Sequence, residues 1–136
     1  MKKPKKIKVK TTSKLKKELD AIHSRWVRLS RADDNGMCTC YTCDRKIHYK
    51  EIQCGHLVSR YYLATRYDNR NTRPQCIVCN MWRNGMIPTY SIRLEQELGE
   101  GITKTLYRDA QKIVKDYPYQ AEIDRYKALV KELELN

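Results

Sequence analysis

Two C-x-x-C pairs, Cys40/Cys43 and Cys76/Cys79, constrain this chain more than any other feature of it. Each pair sets two thiols on one tight turn, and two such turns supply the four sulfurs of a tetrahedral zinc site. Cys40, Cys43, Cys76 and Cys79 are therefore expected to hold a structural Zn²⁺ that ties two distant segments together. Cys38 and Cys54 lack a partner at that spacing and are expected as buried free thiols, although the C-x-C at 38 and 40 leaves another pairing open. Six cysteines could instead make three disulfides in a secreted chain. The N-terminal MKKPKKIKVK has neither an apolar leader core nor a small-residue cleavage site. The expectation is a reduced site in the cytoplasm.

A metal staple matters here because apolar material is scarce. Mean hydropathy is −0.80 and 32% of the 136 residues are charged, which leaves one domain with a modest core. A net charge of +12 calls for a polyanionic partner, and nucleic acid is the commonest. No apolar run approaches the ~18 residues that a membrane span needs. Residues 1–13 read as a basic, disordered arm, with Lys2, Lys3, Lys5 and Lys6 available to phosphates.

Ser13 reads as an N-cap for a helix over 14–34, striped by Leu15, Leu19, Ile22, Trp26 and Leu29 and ended by the turn at Gly36. His23 falls off that stripe and is expected at the surface. Residues 37–86 form the cysteine-bracketed core: a hairpin with Cys40 and Cys43 at its tip, a strand over 51–58, a loop or short helix over 59–67, and an extended segment up to Pro74. A helix then opens at the second cysteine pair and runs to about Gly85. Helices fill 89–135. One runs Ser91 to Leu98; one is striped by Ile102, Leu106, Ala110, Ile113, Val114 and Tyr117 and broken at Pro118; one is striped by Ile123, Tyr126, Leu129, Val130 and Leu133. The fold class is α+β, with residues 14–136 as one domain.

Between the cysteine pairs lie the residues able to do chemistry. His56, at a strand end, is the candidate general base, because a neutral imidazole can deprotonate water beside a phosphate. Asn71 is placed to orient it. Asn80 and Asn84, four residues apart on the expected helix, share a face and could offer hard oxygens to a catalytic Mg²⁺ or Mn²⁺. Arg60, Arg66, Arg70, Arg73 and Arg83 surround the expected cleft and could hold phosphates, and Tyr61, Tyr62 and Tyr67 could pack or stack on bases. The order strand, histidine, loop, asparagine, strand, helix is the layout of a ββα-metal nuclease. A zinc ribbon that binds DNA without cutting it is the competing reading.

The segment Cys54-Gly-His-Leu, then Tyr67-Asp-Asn-Arg-Asn-Thr-Arg-Pro-Gln-Cys-Ile-Val-Cys-Asn80, Asn84-Gly-Met-Ile-Pro-Thr-Tyr90 and Leu98-Gly99, resembles the NinG (Rap) family of lambdoid phage recombination proteins, which resemble HNH endonucleases. The resemblance implies a zinc-stapled HNH-like core with flanking helices. It implies an endonuclease, a phosphodiester hydrolase that uses a divalent metal on branched DNA such as Holliday junctions and D-loops in a phage-infected host. It also assigns His56, Asn71 and Asn80 to the catalytic motif. Two departures stand out. Gly55 occupies the place where many HNH nucleases carry a metal-ligating carboxylate or histidine, and Trp82 and Arg83 stand where relatives often have His and Lys. A junction offers two symmetric strands, so a homodimer through the C-terminal helices is expected.

Overall fold

The computed structural model describes residues 2–5 and 9–135; Lys6 lies outside the described residues. The first helix, α1, spans Thr12–Ser30. Its cap is Thr11, not Ser13: the Thr11 backbone is extended and its hydroxyl accepts from Lys14 N at 3.2 Å. Both residues are of capping type, so the sequence did not distinguish them. The helix therefore starts inside the expected arm, and Lys10 pairs with Glu18 at 2.8 Å. It also stops early, at Ser30. Asp33 Oδ1 accepts from the backbone N–H of Asn35 and Met37, both at 2.9 Å, and so builds the turn that Gly36 completes at φ 78°.

Strands β1 (Met37–Thr39) and β2 (Lys46–His48) pair antiparallel, and the first cysteine pair sits at their tip as expected. Strand β3 (Gln53–His56) pairs antiparallel with β4 (Thr72–Gln75), setting His56 opposite Thr72. The short helix α2 (Leu63–Arg66) lies between them. After β4 the chain makes one π-helical turn, Val78–Trp82, and a 3₁₀ turn, Asn84–Met86. Helices α3 (Ile87–Leu98), α4 (Ile102–Ala110) and α5 (Tyr119–Leu135) follow. Helix α4 does not reach Pro118. It ends at Ala110, and Ile113, expected on its stripe, is 88% exposed.

Three apolar clusters carry the fold. Leu57, Val58, Tyr90, Leu94, Leu106 and Ala110 join β3 to α3 and α4. Three of the four paired cysteines, Cys40, Cys76 and Cys79, form a second cluster with Cys38 and Ile52. Leu19, Tyr67, Ile123 and Tyr126 form the third, between α1 and α5. The apolar stripe of α5 is thus consumed within the chain, where Ile123, Tyr126 and Val130 are buried. That stripe is therefore not the face by which the C-terminal helices would meet a second copy.

His23 is also corrected. It is buried among Trp26, Tyr67 and Tyr126, because α1 packs on α5 on one side and on β3 and β4 on the other, so more than one stripe of it is covered. Its ring nitrogen Nε2 meets Asn69 Oδ1 at 3.1 Å, and burial lowers its pKa to about 4, keeping it neutral.

Candidate functional site

The sulfurs of Cys40, Cys43, Cys76 and Cys79 all lie within 4.8 Å of one another. Zinc–sulfur bonds of ~2.3 Å in a tetrahedron put neighbouring sulfurs about 3.8 Å apart, and Cys43 and Cys76 stand at 3.7 Å. Backbone N–H groups point at the sulfurs, Cys76 N to Cys40 Sγ at 3.3 Å and Cys79 N to Cys76 Sγ at 3.4 Å, an arrangement that stabilises thiolates. The cluster could hold a structural metal such as zinc. Cys38 and Cys54 stand outside it, as free thiols. Cys38 donates to the Arg28 carbonyl at 3.0 Å, and burial pushes the Cys54 thiol up to about 12, which leaves it inert.

A cavity of about 820 Å³ is lined by residues of α1, of β3 and the loop after it, and of the turns after β4. His56, Asn80 and Asn84 all line it. The half-buried His56 ring donates Nε2–H to the Arg66 carbonyl at 2.8 Å, since a carbonyl can only accept. That bond leaves Nδ1 bare, as a base requires. Burial is the largest cause that lowers the His56 pKa below its usual value; the bond to Arg66 opposes it, and the charges of Arg66 and Arg60 add to it.

The Asn71 side chain makes no hydrogen bond to the His56 ring. It is fully buried: its Oδ1 accepts from Val58 N at 2.8 Å, and its Nδ2 donates to the carbonyls of Val58 and Thr65 at 3.0 and 3.1 Å. It therefore fixes the loop after His56 to α2, whose next residue, Arg66, holds the imidazole. Its influence on the ring is indirect.

Asn80 and Asn84 do reach one cavity, but not as neighbours on a helix face. The helix ends at Trp82, and Asn84, Gly85 and Met86 all adopt left-handed conformations, with φ of 53°, 84° and 49°. Gln75 holds this turn by donating to the Gly85 carbonyl at 2.9 Å. Asn80 Nδ2 donates to Gln53 Oε1 at 2.8 Å, which leaves the Asn80 carbonyl oxygen as its free end. Gln53 was invisible as a functional residue because its partner lies 27 positions away.

The glycine before the histidine now has a reason. Cys54 and His56 line the cavity, whereas a Cβ on Gly55 would meet Gln75 Oε1 at 1.8 Å. The Gly55 carbonyl accepts from Tyr90 OH at 3.0 Å, pinning α3 to the strand. A carboxylate at 55 would face the core, not the cavity. Gly55→Asp is expected to destabilise the chain by about 3 kcal/mol or more through overpacking and a buried charge, read as a lowered urea midpoint. An unchanged midpoint would overturn this placement.

The arginines divide. Arg73 is buried, donating to Glu97 at 3.0 Å and to the carbonyls of Asn69 and Thr72, so it binds no phosphate. Arg66 is held by Asp20 and by the Arg60 carbonyl. Arg70 pairs with Asp68 and Asp109. Arg60 and Arg83 are exposed and carry no carboxylate partner among the described residues, and Arg60 lines the cavity. Lys2, Lys3 and Lys5 are exposed and outside any helix or strand. Tyr67 is core, donating its hydroxyl to Asp20 at 2.7 Å, while Tyr61 and Trp82 are exposed. Asp20, Arg28 and Tyr107 also line the cavity, each brought there from a distant part of the chain.

No helix among the described residues is long and apolar enough to cross a membrane. No curated protein and no solved structure matches the chain. A family model, that of the bacteriophage lambda NinG protein, matches residues 1–136. With the whole sequence matched and its cysteine pairs gathered into one cluster, the chain belongs to the NinG family.

Proposed function

We propose that this member of a phage recombination family is a divalent-metal-dependent endonuclease that cuts branched DNA, such as Holliday junctions and D-loops, in the cytoplasm of an infected host. The observation that carries the reading is His56: an imidazole with Nε2–H held by a carbonyl and Nδ1 bare, in a cavity that also receives Asn80 and Asn84. Nδ1 takes the proton of the water that attacks phosphorus. The Nε2–H bond to the Arg66 carbonyl strengthens as the ring gains charge, which favours the imidazolium. Arg60 and Arg83, unopposed by carboxylates, hold the flanking phosphates, and the lysine arm adds sequence-independent affinity. The departing 3′ oxygen leaves a 5′ phosphate. The amide oxygens of Asn80 and Asn84 are hard donors that suit Mg²⁺ or Mn²⁺, and these two residues would hold such an ion. When bound, such an ion supplies stabilisation of the charge developing on the leaving oxygen. We further propose that residues 14–136 act as one HNH-like domain, with cutting of both strands by a homodimer that uses faces of the C-terminal helices other than the buried stripe of α5.

A second reading, a zinc-ribbon module that binds DNA without cutting, is favoured by one observation. The sole carboxylate lining the cavity among the described residues, Asp20, is already paired. A labelled four-way junction, a linear duplex and single-stranded RNA, incubated at matched salt with Mg²⁺ or Mn²⁺ and with chelator, separate the two. Metal-dependent nicks in the junction are expected, with the duplex and RNA largely intact. Junction binding with no nicks under any metal would leave the binding module standing.

A further inference from the structure

Asp20 projects from α1 into the cavity, and nothing in the proposed cleavage uses it. Both of its oxygens are occupied. Oδ1 accepts from Arg66 Nε at 2.8 Å and from Tyr67 OH at 2.7 Å, and Oδ2 accepts from Arg66 Nη2. Arg66 is the residue whose backbone carbonyl receives the His56 Nε2–H at 2.8 Å. A further bond, from Arg66 Nη1 to the Arg60 carbonyl at 2.8 Å, draws the preceding loop onto the same side chain. Helix α2 is four residues long, with no side-chain cap at its start. One turn of helix has no stability of its own, so the place of the Arg66 carbonyl is set by tertiary bonds. Asn71 grips Thr65 from one side, and Asp20 grips Arg66 from the other.

We propose that Asp20, on a helix outside the cysteine-bracketed segment, is a positioning residue for His56: by clamping Arg66 it fixes the carbonyl that sets the direction and tautomer of the imidazole. The inference rests on His56 being the base. A lone carboxylate in such a cavity could otherwise serve as a metal ligand, but both of its oxygens already bind Arg66, which would have to be displaced. Asp20 also neutralises the Arg66 guanidinium beside the ring, so the clamp does not add a net positive charge next to a group that must accept a proton.

The test is a double-mutant cycle in the full chain, with Asp20→Asn, Arg66→Met and both together, and with His56→Ala as the blank. Thermal midpoint and bound metal are measured for each variant, and Asp20→Glu serves as the conservative rescue. Each single variant is expected to lose about 10- to 100-fold in kcat on the four-way junction at saturating Mn²⁺. The double variant should fall within about twofold of the worse single one, because both changes break one device. The Mn²⁺ concentration for half-maximal rate should not move. In the imidazole proton spectrum, the His56 Nε2–H resonance should be present in the parent chain, weakened in both single variants and regained in part by Asp20→Glu. Retention of that resonance in Asp20→Asn overturns the proposal. So does an increased Mn²⁺ requirement in Asp20→Asn that Arg66→Met does not share, which would make Asp20 a metal ligand. If the parent chain cuts nothing, the nuclease reading fails by itself, and the imidazole proton still decides whether Asp20 positions the ring.

Discussion

Replacing Cys79 with serine, or stripping metal with a chelator, is expected to abolish the native fold of the central segment, the largest effect of any single change. The four sulfurs close a loop between the β1–β2 hairpin and the turn after β4, and three of them, those of Cys40, Cys76 and Cys79, belong to the buried apolar cluster at that end of the molecule. Both sheets have only two strands, of three or four residues each, which is too little to stand alone. A structural zinc site contributes about 10–16 kcal/mol of apparent binding energy, against about 5–15 kcal/mol of total stability for a typical domain. Elemental analysis of protein purified without chelator should give about one zinc per chain. Near-ultraviolet circular dichroism should collapse in the Cys79→Ser variant. A metal-free variant with the parent's cooperative melt would remove the sulfur cluster from the account of the fold.

The second large effect is expected at His56. His56→Ala should cut strand cleavage by about 10²–10⁴-fold, the usual share of a general base, while junction affinity and metal content stay at parent values. Arg60 and Arg83 and the sulfur cluster do not depend on the ring for their placement. The pH profile follows from the direction of the His56 shift. Burial lowers its pKa below the ordinary imidazole value of 6.5, and the base works only when neutral. The midpoint of cleavage should therefore lie below pH 6.5, with activity falling on the acid side as Nδ1 becomes protonated. Stability follows the same sign: the unfolded chain takes up this proton first, so the ring's contribution is present above 6.5 and lost as pH falls below it. His23, with its pKa at about 4, adds a further loss over the window from 6.5 down to about 4. A cleavage midpoint above 6.5 that disappears in His56→Ala would contradict the buried placement of the ring.

Much of this molecule was legible in its sequence because its decisive signals are short-range. Cysteine spacing announced the sulfur cluster, Pro74 announced the extended segment before it, and three- and four-residue stripes announced α1 and α5. What failed depended on contacts between distant positions. Asn71 lies where an orienting group belongs, but its amide bonds Val58 and Thr65, and the carbonyl that holds His56 comes from Arg66. Asn80 and Asn84 were related by helical spacing, and the left-handed residues after Trp82 break that spacing while still delivering both to one cavity. The arginines looked equivalent as letters. Three of the five are occupied by Asp20, Asp68, Asp109 and Glu97, acids whose positions no local pattern reveals.

The bond between Gln53 and Asn80 has a mechanical meaning. Gln53 begins the strand that ends in His56, and Asn80 rides the turn that carries Cys79. Imidazole and amide are thereby yoked to one small rigid frame, so breathing of the surrounding helices shifts them together; under the proposed cleavage, the gap that would straddle a scissile bond keeps its width.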